Sequence, residues 1–327
     1  MTTQTDTILD KDLEICDAHH HIWDFPTNTY LVDELITDLS SGHNVTSTIY
    51  MECGYGYDTN LPSHLASVGE TSFVDNCAKD IFKKTNGGIA ACKAIVGYTY
   101  LTLGAQTQES LELHMATSNR FAGVRHATAW DADSNIRNAH TNPTAGQMLT
   151  QAFGHGTRLL TKLNLSFDTW LYHPQIQEFC QLAKQHPNQI MVLDHLGGLI
   201  GIESYSSRKQ SVQKKWKKDM SLLSERENVY IKLGGLAMPL CGKDFHKRQT
   251  EIVAEELAEA TASYYLHAID AFGTHRCMFE SNFPVDKVGV TYRTLWDSFK
   301  HITRNFSLKD KQALFKRNTE NVYCSER

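Results

Sequence analysis

The chain has 327 residues, 41% of them hydrophobic and 21% charged, with a formal net charge of −5. This is ordinary composition for a globular protein with a large core, and without a basic excess it excludes nucleic acid and anionic membrane as expected partners. No apolar run approaches the ~18 residues of a membrane span, the polar stretch 1–14 does not read as a signal sequence, and eight scattered cysteines without a CxxC pair read as reduced thiols of a cytoplasmic protein.

Short β-rich apolar runs recur along the chain, at 13–21, 47–53, 94–101, 121–129, 163–171, 189–196, 229–236 and 277–283. Between them, helical periodicity covers 73–84, 110–119, 145–160, 175–185, 211–227 and 251–272, and the chain closes with helices at 292–304 and 308–323. The stretch 26–44 reads as loop with at most a short helix. Alternating strands and helices imply parallel pairing, because a parallel connection needs a crossover of a dozen or more residues. Eight such units without a GxGxxG or GxxxxGK[ST] motif predict a single α/β domain over 1–327, a closed (β/α)8 TIM barrel. The lysine run 214–218 around Trp216 reads as a solvated helix face.

In such a barrel the site lies at the C-terminal ends of the strands, and those ends are polar here. The first carries Asp17-Ala18-His19-His20-His21, the second Glu52, the fourth Arg125-His126, and the fifth Asp168 and Trp170. The sixth carries Asp194-His195, the seventh Lys232 and the eighth Glu280-Ser281-Asn282. Strand alternation puts His19 and His21 side by side with His20 facing away. Two convergent imidazoles suit a divalent cation or a proton-transfer centre, although an HxH pair is equally compatible with a polar strand end.

Six segments in the right order resemble the amidohydrolase superfamily, in its amidohydrolase-related branch of sugar-acid and dicarboxylate lactonases. They are Asp17 to Asp24 (DAHHHIWD), Phe121 to His126 (FAGVRH), Leu165 to Tyr172 (LSFDTWLY), Val192 to Gly198 (VLDHLGG), Val229 to Leu236 (VYIKLGGL) and Arg276 to Asp286 (RCMFESNFPVD). The resemblance implies that His19, His21 and His195 form the reactive cluster and would be the ligands of one divalent metal such as zinc. A metal-free polar cluster stays open beside it. Asn282 falls where the superfamily carries an aspartate general base, and a carboxamide cannot take a proton. The fifth strand lacks a terminal histidine and the fourth a bridging lysine, so a two-metal site is not expected.

Glu280, on the same face as Asn282, is the candidate to supply the missing basicity, and Asp286 is the other. Lys232 and Glu280, buried on neighbouring strands, are expected to pair. Asp194, of opposite parity to His195, is expected to point outward. Arg125 is a candidate for a carboxylate or lactone oxygen, with His126, Trp170, Lys232 and Asp286 as further substrate contacts. Trp23 and Tyr172 are candidates for the wall, and Glu52 for the mouth. The expected function is hydrolysis of a small polar lactone, with small molecules as the only partners and the oligomeric state open. Two alternatives remain on the same scaffold: a decarboxylase or hydratase of a small acid, and a ligand-binding barrel that has lost catalysis.

Overall fold

The computed structural model of the protein describes residues 8–325; residues 1–7 of the polar 1–14 stretch therefore lie outside the described residues. Strand β1 (Ile15–His20) is followed by a small antiparallel hairpin, β2 (Trp23–Phe25) and β3 (Asn28–Tyr30), and by helix α1 (Val32–Leu39). Next come β4 (Val45–Met51), α2 (Val68–Lys84), β5 (Ala90–Gly97), α3 (Ala105–Thr117), β6 (Phe121–Arg125) and α4 (Gln151–Lys162). The chain continues through β7 (Ser166–Thr169), α5 (Ile176–Gln185), β8 (Met191–Leu193), a single turn α6 (His195–Gly198), α7 (Lys209–Leu223), β9 (Val229–Leu233), α8 (Ala254–Phe272) and β10 (Cys277–Phe279). Helices α9 (Tyr292–Ile302), α10 (Leu308–Gln312) and α11 (Asn318–Tyr323) finish it, the last two joined by a π-helical turn, Ala313–Arg317.

Eight strands pair in parallel in the order β1-β4-β5-β6-β7-β8-β9-β10, the expected TIM barrel. Each expected run overlaps one of them, and β4 and β5 begin earlier than expected, at Val45 and Ala90. The stretch 26–44 holds one short helix, the eight-residue α1, as expected, and departs from expectation only in completing the hairpin. Closure falls to the segment just beyond β10. His21 N–H donates to the Phe283 carbonyl at 2.8 Å and Asn282 N–H to the His19 carbonyl at 2.9 Å, which fixes the eighth-strand polar residues against the first-strand histidines.

Two apolar layers hold the barrel. Small residues such as Cys16, Ala18, Ala94 and Ala122 share the interior with Met51, Met278 and Tyr323, while the larger cluster packs the strands against the helices. Trp216 belongs to that outer layer. Its lysine neighbours reach solvent, but the indole is fully buried and donates to the Leu196 carbonyl at 2.8 Å, so this helix face is not simply solvated. Among the described residues, no helix is long and apolar enough to cross a membrane, and all eight cysteines are free thiols.

Candidate active site

A register irregularity near the end of β1 brings His19 and His21 out together, with their Nε2 atoms 3.2 Å apart. His20 turns the other way, 2.7 Å from the Thr48 hydroxyl. His21 Nδ1 is 2.9 Å from the Met51 carbonyl, an acceptor, so Nδ1 carries the proton and Nε2 keeps its lone pair. His195 Nδ1 is likewise 2.7 Å from Glu280 Oε1, an oxygen that also accepts from the His195 backbone N–H at 3.1 Å. His19 Nδ1 lies 3.0 Å from the other oxygen, Glu280 Oε2. Glu280 thus sits under two rings and turns both Nε2 atoms away from itself.

The backbone is shaped for this arrangement. A β-carbon on Gly234 would come within 2.3 Å of Glu280 Cγ, and one on Gly235 within 2.5 Å of His195 Cβ. His195 and Leu196 themselves take positive φ, 53° and 56°, which few residues with side chains adopt. The indole bond from Trp216 to Leu196 helps to hold that turn.

Beneath the imidazoles runs a buried ionic network. Lys232 Nζ lies 2.9 Å from Asp168 and 3.0 Å from Asp194, so its partners are these aspartates and not Glu280 as expected. Asp194 corrects a second expectation. β8 ends at Leu193 and strand alternation ends with it, so Asp194 faces inward, fully buried, near Lys232, His19 and Arg125. Arg125 Nε donates to Glu52 Oε1 at 2.9 Å, and its Nη1 is 3.3 Å from His19 Nε2, consistent with a lone pair there.

These contacts set the charges. Burial, reinforced by Lys232 for His19 and by Arg125 for His21, holds both imidazoles well below the usual histidine range, and so neutral. Burial opposes ionisation of Glu52, but Arg125 and His140 outweigh it and hold the carboxyl at about 2. The same balance, with His195 and His19 as partners, holds Glu280 at about 2.

Above this floor opens a cavity of about 540 Å³, walled by Trp23, Trp170, Tyr172 and Met238 and entered past Arg137 and His140. His21, Arg125, His195 and Asn282 reach it from below. Of the other expected contacts, Lys232 lies fully buried under the floor. His126 faces away from the cavity, between the rings of Tyr98 and Phe153. Asp286 is buried behind Asn282, whose Nδ2 donates to it at 3.2 Å, and burial pushes its carboxyl up to about 7. Its neighbour Lys287 pairs with Asp38 instead. A larger groove, about 940 Å³, lies at the opposite end of the barrel, where Lys311 and Lys316 are already paired with Asp10 and Glu14.

The amidohydrolase family model matches residues 16–324, nearly the whole chain. The chain belongs to the amidohydrolase family. It is 28% identical over 335 residues to the uncharacterized protein y4mH of Sinorhizobium fredii, covering 96% of this chain and 99% of that one. An amidohydrolase from Burkholderia multivorans, solved with bound HEPES and with bound zinc, shares the fold at TM-score 0.72 and 19% identity, over 95% of this chain and 99% of that one. A putative 2-pyrone-4,6-dicarboxylic acid hydrolase from Pseudomonas putida shares it at TM-score 0.63 and 14% identity, over 96% and 99%.

Whether this amidohydrolase suits a metal can be judged from its own donors. His19, Asp194 and His195 each offer a ligand atom, all within 4.8 Å of one another. Asp194 was not in the expected set; His21, which was, stands against His19. Four buried carboxylates (Glu52, Asp168, Asp194 and Glu280) face two buried permanent cations (Arg125 and Lys232), an imbalance that one divalent ion would cancel. The two Nε2 atoms of His19 and His21 lie 3.2 Å apart, with the Arg125 guanidinium 3.3 Å from that of His19. Neutral imidazoles and a carboxylate are zinc-type donors, so the residues fit.

Proposed function

We propose that this protein hydrolyses a small polar lactone. The observation that carries the reading is Glu280 beneath His195: a buried carboxylate fixes Nδ1–H and leaves Nε2 basic toward the cavity, which is the arrangement a general base requires. In the proposed reaction His195 Nε2 takes a proton from the water that attacks the ring carbonyl. Glu280 supplies through His195 the basicity that Asn282 lacks, while Asn282 orients substrate or water. The Arg125 guanidinium stabilises negative charge developing on the carbonyl oxygen. Were His19, Asp194 and His195 to hold a divalent ion, His195 Nε2 would be a ligand in place of the base, and the ion would supply Lewis acidity and a more acidic water.

The wall suits an oxygen-rich ring. Trp23 and Trp170 offer flat apolar faces on which such a ring can stack. A ring ester such as the one named for the Pseudomonas putida structure belongs to this class. The free thiols suit a reducing compartment, and we place the protein in the cytoplasm.

The test is ring opening, followed by acid release, on a panel of sugar-acid and dicarboxylate lactones with metal-replete and chelator-treated protein. At least one member should reach kcat/KM of about 10⁴ M⁻¹s⁻¹. No turnover across the panel, or release of carbon dioxide from an aromatic acid instead, would overturn the reading. Full activity with less than about a tenth of an equivalent of bound metal would remove the ion while leaving the hydrolysis.

A further inference from the structure

The floor imidazoles present a difficulty for any ester hydrolysis. His19 and His21 turn Nδ1 to buried acceptors, Glu280 and the Met51 carbonyl, and present Nε2 as acceptors, while His195 Nε2 is engaged in taking a proton from water. A group already protonated in the resting site can supply the departing oxygen without waiting for His195 to pass on the proton it has taken. His140, on the loop between β6 and α4, borders the same cavity and is built the opposite way.

Its Nε2 lies 3.1 Å from Glu52 Oε2, while the other oxygen of Glu52 accepts from Arg125. Glu52 is fully buried and pinned, whereas the His140 side chain is 35% exposed. The ring is therefore held through Nε2–H, and Nδ1 is the nitrogen left without a carboxylate. The groups around it are Glu52 at the end of β4, Arg125 at the end of β6 and Glu70 on α2, with His126 and the Tyr98 ring behind. The Glu52 carboxylate raises the proton affinity of His140 above that of an ordinary histidine, against the smaller effects of burial and Arg125.

We infer that His140 is the general acid of this site, donating its Nδ1 proton to the leaving oxygen of the substrate. The inference rests on the proposed lactone hydrolysis. As the water oxygen bonds to the carbonyl carbon, the ring C–O bond breaks and its electron pair goes to the ring oxygen. That oxygen takes the His140 proton, and the proton removed by His195 returns to His140 through solvent. The sum is one lactone and one water giving one hydroxy acid.

Leaving-group dependence separates this role from simple substrate positioning. Two probes suffice: δ-valerolactone, which must expel an alkoxide, and dihydrocoumarin, which expels a phenoxide and needs little proton donation. H140Q should lose about 10²–10³-fold in kcat on δ-valerolactone but less than about tenfold on dihydrocoumarin, and its pH profile should lose the alkaline fall. E52Q should retain that fall but shift it to lower pH. H140N serves as the second variant if H140Q melts early. Equal losses on both probes, or none, would overturn the inference while wild-type turnover still upheld the hydrolase. If the wild type opens neither ring, the same comparison is made between H140Q and wild type on the best lactone of the panel, where an unchanged kcat and alkaline fall would overturn the inference.

Discussion

Gly235 makes room for His195, since a β-carbon on it would lie 2.5 Å from the Cβ of His195 at a φ of +72°. G235A therefore combines left-handed strain with overpacking, for a stability loss of roughly 2–4 kcal/mol. Because the displaced group is the reactive ring, turnover should fall about 100-fold even where the protein stays folded. Urea unfolding and steady-state kinetics at a temperature well below the melt separate the two effects. A G235A enzyme with normal kcat would show that His195 need not stand where it does.

Lys232 neutralises Asp168 and Asp194 together in a site without water access. K232M leaves two buried carboxylates with one fewer cation and should destabilise the fold by about 3–5 kcal/mol. Adding D168N should recover part of that loss, because a neutral amide no longer needs the ammonium. Denaturation midpoints of the single and double variants check this, and additive losses would mean the pair is not coupled.

Glu280 is the joint partner of His195 and His19. E280Q keeps the volume but removes the charge that favours the Nδ1–H tautomer, so turnover should drop about 100-fold, with metal affinity falling about tenfold or more. Thermal melting verifies that the variant is folded. Unchanged kcat would remove Glu280 from the reaction.

Glu70, beside Glu52 on the side away from the cavity, gives the fold a pH dependence of its own. It is buried under Tyr50, accepts from the backbone N–H groups of Cys53 and Tyr55, and has one oxygen without a partner among the described residues. Burial, then the nearby Glu52 carboxylate, push it up to about 7 from an ordinary 4.5. The folded state therefore binds more protons than the unfolded state between those values, and stability falls as pH rises through that window. The loss should reach on the order of 3 kcal/mol by pH 8. E70Q should abolish this slope in urea unfolding measured from pH 5 to 8; an identical slope would place its origin elsewhere.

Much of this architecture was legible in the amino-acid order, because eight apolar runs at barrel spacing leave few topologies open. Alternation also placed His19 beside His21. It failed at Asp194, where β8 ends after three residues and the chain turns, so parity no longer decides direction. Lys232 and Glu280 are neighbours by strand order, yet Lys232 reaches across toward the fifth and sixth strands, a matter of side-chain length that pairing order does not encode. His140 and Arg137 come from a loop without periodicity. The one available signal was a histidine in a long connection after a strand that already ends in Arg125-His126. The hairpin after β1 was lost because its turn, around Pro26, lies among polar residues that look like any loop.

One contact in the cavity wall has a practical use. The His21 ring lies stacked on Trp23, with centroids 5.6 Å apart and planes inclined by 20°. Indole emission is quenched by a charged neighbour, so any proton or ion that arrives at His21 changes the light given off by Trp23. The protein therefore carries its own optical gauge of occupancy, and ligands can be screened by fluorescence titration before any substrate has been found.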